Sequence, residues 1–255
     1  MSQATRRRIG ISWFRGNIHE LMRLGQKVPL VTIERALSLA PLIEARERCT
    51  NKPSWTAMFI KAFSIVATRH PHLRRVYMSY PYPHYYEHPC NHATIVVERD
   101  YEGEMISLQC RLRKPDQRSL VDLQQAIDLL RTGPLTENPT FKFMRLIGRM
   151  PLPIRRLIWN VGYHWSGSRR ARYFGTFALS TTAAHGAGIE TILAPLTAIH
   201  YGLFEPDGRI EMRVTIDHRP LDGSPIARAL VEMEKVLLTE ILAEVQARPS
   251  LRLVA

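Results

Sequence analysis

The sequence has few cysteines and no long hydrophobic run. Its three cysteines, Cys49, Cys90 and Cys110, are widely spaced and include no Cys-x-x-Cys pair. This pattern predicts neither a disulfide framework nor a metal or redox motif, and it is typical of a reducing compartment. No stretch approaches the roughly 20 apolar residues that span a bilayer. The apolar run at 9–14 is too short for a signal peptide. We therefore expect a cytoplasmic protein, and the cysteine spacing gives no reason to expect a metal.

Linkers, repeats and low-complexity tracts are also absent from the sequence. With 255 residues, of which 45% are hydrophobic, the chain can bury one substantial core. We therefore predict a single domain over residues 1–255. The formal net charge of +12 suits attraction of phosphate groups, anionic lipid or nucleic acid. Because no nucleic-acid-binding motif accompanies the charge, we do not expect a nucleic-acid partner.

Hydrophobic residues recur with both helical and strand periods along the chain. We predict strands at 29–33, 92–98, 104–112, 174–180, 196–204 and 210–217, and helices at 37–49, 54–69 and 119–131. Residues 77–92 are predicted to form a loop. Helices mixed with antiparallel hairpins indicate an α/β fold of the two-layer α+β type, in which helices cover a mixed sheet.

The most informative motif is Asp-His-Arg-Pro-Leu-Asp-Gly at 217–223, between a predicted strand and a predicted helix. Apolar and polar residues alternate along 209–216, so the period of two places His218 on the inward, sheltered face. Gly223 supplies a flexible turn, Ser224 can cap the helix and Pro225 suits its first position. Near neutral pH a sheltered imidazole can act as a general base.

This motif resembles the signature of the dihydrolipoyl acyltransferase core of 2-oxoacid dehydrogenase complexes, a family that shares its fold with chloramphenicol acetyltransferase. Further segments resemble that family in the same order, namely 11–15, 59–73, Gly-Thr-Phe-Ala-Leu-Ser at 175–180 and 194–199. The resemblance spans nearly the whole chain. It implies a chloramphenicol acetyltransferase-like mixed sheet covered by helices, with the active site at a trimer interface.

The resemblance also implies roles for individual residues. His218 matches the general base, and Asp222 matches an aspartate that is chiefly architectural or electrostatic. Ser180 matches the hydroxyl donor that stabilises the tetrahedral oxyanion. Arg15 is either a surface charge or the match of an arginine that pairs with Asp222. His185, within Ala-His-Gly-Ala-Gly, is either a loop residue or a substrate contact.

A coenzyme A-dependent acyltransferase is the function that the resemblance implies. The acyl group would pass directly from a thioester to a thiol, hydroxyl or amine, without an acyl-enzyme. Coenzyme A or acyl-CoA would be a substrate, and neither a metal nor covalently attached lipoate is expected. The family forms homotrimers, and the apolar ending at 249–254 resembles the anchor through which trimers dock into cages. The alternative is a non-catalytic trimeric or cage-forming scaffold.

Departures from the family limit what the resemblance implies. We expect no lipoyl domain, because the family-like sequence begins almost at residue 1. Thr-Thr-Ala at 181–183 replaces the family's common Asn-Leu-Gly beside the oxyanion site. A basic amphipathic insertion is predicted at about 134–172, and its residues 139–172 carry eight Lys and Arg side chains but no acidic one.

This basic segment, residues 139–172, has three interpretations. The first is an amphipathic pair of helices that packs on the domain and is broken at Pro151 and Pro153. The second is a face that lies on an anionic membrane, which would make the cytoplasmic protein peripheral. The third is the lining of a channel for a long acyl chain, with Trp159 as a substrate contact. The sequence leaves all three open.

Overall fold

The computed structural model describes residues 8, 10–180 and 197–247. Its helices are α1 Trp13–Gly25, α2 Ala40–Glu47, α3 Trp55–Arg69, α4 Leu120–Thr132, α5 Pro139–Gly148, α6 Leu152–His164, α7 Gly167–Phe174, α8 Gly223–Val236 and α9 Leu242–Gln246. Its strands are β1 Leu30–Ser38, β2 Arg75–Met78, β3 His84–Glu87, β4 His92–Tyr101, β5 Glu104–Arg113, β6 Phe177–Ser180, β7 Thr197–Phe204 and β8 Arg209–Asp217.

Six strands form one mixed sheet in the order β1-β8-β7-β6-β4-β5, and β2 pairs with β3 separately. Strand β6 runs parallel to both neighbours, β4 and β7, whereas the other pairs in the sheet are antiparallel. Helices α3 and α8 pack against each other, and α8 also packs on β1. This architecture confirms the predicted mixed sheet covered by helices.

Helix α3 shows how the sequence builds the core. Ser54 caps its first turn by accepting a hydrogen bond from the backbone N–H of Ala57 at 3.2 Å, as expected for an N-cap serine. Phe59, Phe63 and Val66 are buried and belong to the main hydrophobic cluster. Their i, i+4 and i+3 spacing places them on one face of the helix, so the prediction of a helix at 54–69 is confirmed.

Three local predictions were wrong for identifiable reasons. The predicted helix at 37–49 begins at Ala40, because Leu37 and Ser38 still pair with Ile210 and Arg209 of β8. The predicted loop at 77–92 contains part of β2 and all of β3. The predicted strand at 174–180 begins at Phe177, because α7 continues to Phe174 and is followed by Gly175 with φ of 80°.

The basic segment forms three helices rather than the predicted pair. Helix α5 ends at Gly148 and α6 begins at Leu152, with Pro153 in its first turn where the missing N–H costs little. The helices are thus broken at Pro151 but not at Pro153, and α7 is the additional helix. Among the described residues, no helix is long and apolar enough to cross a membrane.

Candidate active site

The His218 side chain lies directly beyond the end of β8. Its backbone N–H donates to the carbonyl of Pro29 at 2.8 Å, which ties the turn to the residue before β1. Its Nδ1 lies 2.9 Å from the carbonyl oxygen of Leu221 and 3.6 Å from Oδ1 of Asp222. A carbonyl can only accept, so Nδ1 carries the proton in this hydrogen bond. The Nε2 atom then holds the free lone pair that a general base requires.

Within one chain, His218 is not sheltered as the alternation predicted. The side chain of His218 is 46% exposed and that of Asp222 is 82% exposed. The apolar alternation holds through Ile216, which is fully buried, but β8 ends at Asp217 and the chain then turns. The prediction failed because the period of two applies only while the chain remains a strand.

An ion pair between the buried Asp217 and the partly exposed Arg219 flanks the histidine in the sequence. Asp217 accepts hydrogen bonds from Nε of Arg219 at 2.9 Å and from its Nη2 at 2.7 Å. These bonds raise the pKa of Arg219 above its ordinary value. The guanidinium also lies over the ring of Tyr77, 4.5 Å from its centroid. This pair fixes the residues on both sides of His218, a role that the sequence analysis missed.

The start of α8 differs from the predicted capping. Asp222, not Ser224, is the N-cap residue, and among the described residues its side chain makes no capping hydrogen bond. The Ser224 hydroxyl instead accepts from Nη1 of Arg228 at 2.8 Å. Gly223 does not have a positive φ, and an added Cβ would meet Ile33 at an ordinary 3.8 Å. The expected need for a glycine at 223 is therefore not seen in the backbone.

Ser180 lies level with the middle of the neighbouring strands, far from His218 at the end of β8. It is the last residue of β6, opposite His200 of β7, which in turn lies opposite Arg213 of β8. His218 follows Arg213 by five residues, so it lies about 17 Å further along the strand direction and about 10 Å across two strands. The two candidate catalytic groups are therefore about 19 Å apart in one chain.

Arg15 lies at the end of the sheet opposite His218. Its side chain is 61% exposed, and its Nε is 4.0 Å from Oε1 of Glu104. Glu104 pairs with Tyr101 at the end of β4. Tyr101 is six residues beyond Ile95, which lies opposite Leu179 of β6. The suggested pairing of Arg15 with Asp222 is therefore not formed within one chain.

Trp159 belongs to the core. It is 4% exposed, its indole N–H donates to Oδ1 of Asn17 at 3.1 Å, and its ring packs edge-on against Phe143. With Phe143 and Leu157 it also lines a surface cavity of about 330 Å³. Trp159 therefore packs in the core, and its role as a substrate contact stays a prediction. His185, residues 181–183 and the ending at 249–254 lie outside the described residues.

Comparison with known proteins gives a fold but no sequence family. No family model and no curated protein matches the chain. The solved dihydrolipoamide acetyltransferase of Azotobacter vinelandii is similar, with 17% identity, a TM-score of 0.64 and 95% of each chain covered. A probable dihydrolipoamide acetyltransferase of Listeria monocytogenes has 16% identity and a TM-score of 0.63, covering 91% of this chain and 94% of that one.

A chloramphenicol acetyltransferase is similar at 13% identity and a TM-score of 0.51, covering 87% of this chain and 94% of that one. At these identities the matches show the fold. They confirm the fold that the motifs at 175–180 and 217–223 implied.

Proposed function

We propose that this chain, which has the fold of dihydrolipoamide acetyltransferase cores and of chloramphenicol acetyltransferase, transfers acyl groups from coenzyme A thioesters. The observation that carries the proposal is the hydrogen bond from Nδ1 of His218 to the Leu221 carbonyl, since it leaves Nε2 free as a base. The Azotobacter vinelandii protein was investigated for the catalytic roles of a serine, a histidine and an asparagine four residues later. Ser180, His218 and Asp222 follow the same order here.

The chemistry then runs in two steps. Nε2 of His218 accepts the proton of a thiol, hydroxyl or amine while that atom attacks the thioester carbonyl. The resulting oxyanion is stabilised by the hydroxyl of Ser180. Collapse of the tetrahedral intermediate reforms the carbonyl and expels the thiolate of coenzyme A, which takes the proton from the imidazolium. No acyl-enzyme forms, and neither a metal nor covalently attached lipoate takes part.

The active site is proposed to form between two chains. Because Ser180 and His218 lie about 19 Å apart in one chain, that chain cannot bring both to one carbonyl. A homotrimer, in which His218 of each chain meets Ser180 of the next, completes three sites. The same contact covers the half-exposed imidazole of His218, and it brings Arg15 toward Asp222 of a neighbour. Docking of trimers into a cage through residues 249–254 is a further part of this proposal.

The test is a screen of acyl-CoA thioesters for thiol release with thiol, hydroxyl, amine and lipid acceptors. His218→Ala should lower turnover roughly 10² to 10⁴-fold, as is typical of lost general-base catalysis, while the assembly stays intact. His72→Ala, in the short turn after α3, is the matched control and should keep full activity. If the assembled protein releases no thiol above background with any acceptor, or releases it equally in His218→Ala, the non-catalytic scaffold is the better account.

The basic segment is proposed to contact an anionic membrane surface, which would suit a lipid-like acceptor. Leu152, Ile154 and Leu157 of α6 are exposed, as is Trp165 just beyond it. Exposed apolar side chains among arginines are typical of helices that lie in the membrane interface. This arrangement favours peripheral membrane contact over a solvated loop.

Flotation with anionic vesicles at low and high salt tests the membrane contact. Attraction to anionic lipid contributes about 1 kcal/mol per basic residue and is screened by salt, so high salt should release the protein. Leu157→Ala, at a position 63% exposed, should weaken binding, whereas Leu129→Ala, 67% exposed on α4, should not. Absence of binding at low salt, together with an unchanged acyl-chain preference in Trp159→Ala, would leave the packing role alone.

A further inference from the structure

A second cluster of reactive side chains lies between β3 and β4, at the same end of the sheet as His218. His88, Cys90 and His92 occupy alternate positions, and bends at Pro89 and Cys90 fold this segment back on itself. A fully extended chain would separate alternate residues by nearly 7 Å. Here one ring nitrogen of each histidine and the cysteine sulfur all lie within 4.8 Å of one another.

The spacing of these atoms is close to that of a metal site. The Sγ of Cys90 is 3.5 Å from Nε2 of His92 and 3.9 Å from Nδ1 of His88. A tetrahedral zinc ion with ordinary Zn–S and Zn–N bonds separates its sulfur and nitrogen ligands by about 3.6 Å. The ring planes of His88 and His92 are nearly perpendicular, at 89°, with centroids 4.8 Å apart. Small rotations of the side chains would therefore aim all three donors at one point.

We propose that His88, Cys90 and His92 bind a zinc-class transition-metal ion through two imidazole nitrogens and one thiolate. Three protein ligands leave a fourth coordination position for water or another ligand. Nδ1 of His88 now lies 2.7 Å from the carbonyl oxygen of Cys90. On metal binding this contact would be lost, and Nδ1 would bind the ion instead. Cys90 and His92 are partly accessible, so an ion can enter without unfolding the strand.

The surroundings of the cluster select the kind of ion. The guanidinium of Arg74 donates to the carbonyl oxygen of His88 at 2.9 Å, so a positive charge already lies beside the site. A hard cation such as Mg²⁺ or Ca²⁺ prefers oxygen ligands and gains little from imidazole or thiolate. An ion that binds nitrogen and sulfur strongly, with a thiolate that offsets part of its charge, fits these donors better.

The second histidine pair provides the internal control. His70 and His72 also lie two residues apart, with ring centroids 5.7 Å from each other. Neither Cys49 nor Cys110, the other two thiols, is part of a group of metal-ligating side chains among the described residues. His72→Ala and Cys49→Ser should therefore leave metal binding unchanged.

The experiment titrates the reduced, tag-free full chain with Co²⁺ as a spectroscopic probe, followed by displacement with Zn²⁺. One equivalent of Co²⁺ should produce tetrahedral absorption bands with thiolate charge transfer, and Zn²⁺ should abolish them. Cys90→Ser should remove the charge-transfer band, and His88→Ala or His92→Ala should weaken binding at least tenfold. Circular dichroism confirms that each variant is folded.

Two results would overturn the proposal. One is the absence of stoichiometric binding in the folded wild-type chain. The other is a binding isotherm that Cys90→Ser and His92→Ala leave unchanged, which would place the ion elsewhere. Excess Mg²⁺ should not compete with Co²⁺, and competition by Mg²⁺ at millimolar concentration would contradict the proposed nitrogen and sulfur ligands.

Discussion

Asp217→Ala is the substitution that tests the turn around His218 most severely. The side chains of Asp217 and Arg219 are 7% and 29% exposed, and their charged atoms approach to 2.7 Å. Removing one partner of a buried pair leaves an uncompensated charge and typically costs about 3–5 kcal/mol. The buried Arg170 is a second electrostatic partner of Asp217, so two guanidinium groups would lose a counter-charge.

The assay is urea denaturation together with thermal melting. A loss of about 3–5 kcal/mol corresponds to a melting temperature lower by roughly 10 °C in a chain of this size. Asp207→Ala is the matched control, because Asp207 also pairs with an arginine two residues later, at 2.6 Å, but the two side chains are 52% and 55% exposed. The control should melt close to the wild-type temperature. Equal losses in the two variants would refute the importance assigned to the Asp217 pair.

Three further substitutions follow from burial. Trp159→Ala should destabilise the fold by about 3–5 kcal/mol, because a buried indole and its hydrogen bond are lost. The measurement is urea denaturation, and a loss of stability below about 1 kcal/mol would contradict the prediction. Asp222→Ala should keep the stability of the single chain, since its side chain is 82% exposed, and should lower turnover or assembly instead, as measured by light scattering and thiol release. Burial and nearby arginines lower the pKa of His164 in the folded chain below its ordinary value of 6.5. The unfolded chain therefore binds a proton to this histidine more readily, so the free energy of unfolding falls as the pH drops below about 6.5. His164→Asn should reduce this fall, and an unchanged pH dependence would contradict it.

Local sequence signals predicted much of the fold. The helical period at 54–69 and the hairpins joining β4 to β5 and β7 to β8 are properties of short segments, and the structure reproduces them. The error at Leu37 has a different origin. Leucine suits both a strand and a helix, and the pairing of Leu37 with Ile210 of β8 decides between them. Contacts between distant residues of this kind are not visible in a window of local sequence.

At the candidate site, too, the sequence predicted local features but not those that depend on distant residues. The motif at 217–223 predicted that His218 lies between a strand and a helix, but not that its imidazole remains half-exposed or that Ser180 lies far from it. Those properties depend on strand order and on a neighbouring chain. The cluster of His88, Cys90 and His92 was missed because alternate residues approach only when the chain bends, and such bends leave no periodic signal.

Mixing two inactive variants tests the central claim, a catalytic site shared between chains, most directly. His218→Ala and Ser180→Ala are purified separately, dissociated, and reassembled in equal amounts. If each site takes its histidine from one chain and its serine from the next, about a quarter of the sites in random trimers contain both groups. We therefore predict that acyl transfer returns to about a quarter of the wild-type rate. A reassembled mixture that stays as inactive as its separate components would contradict the shared site.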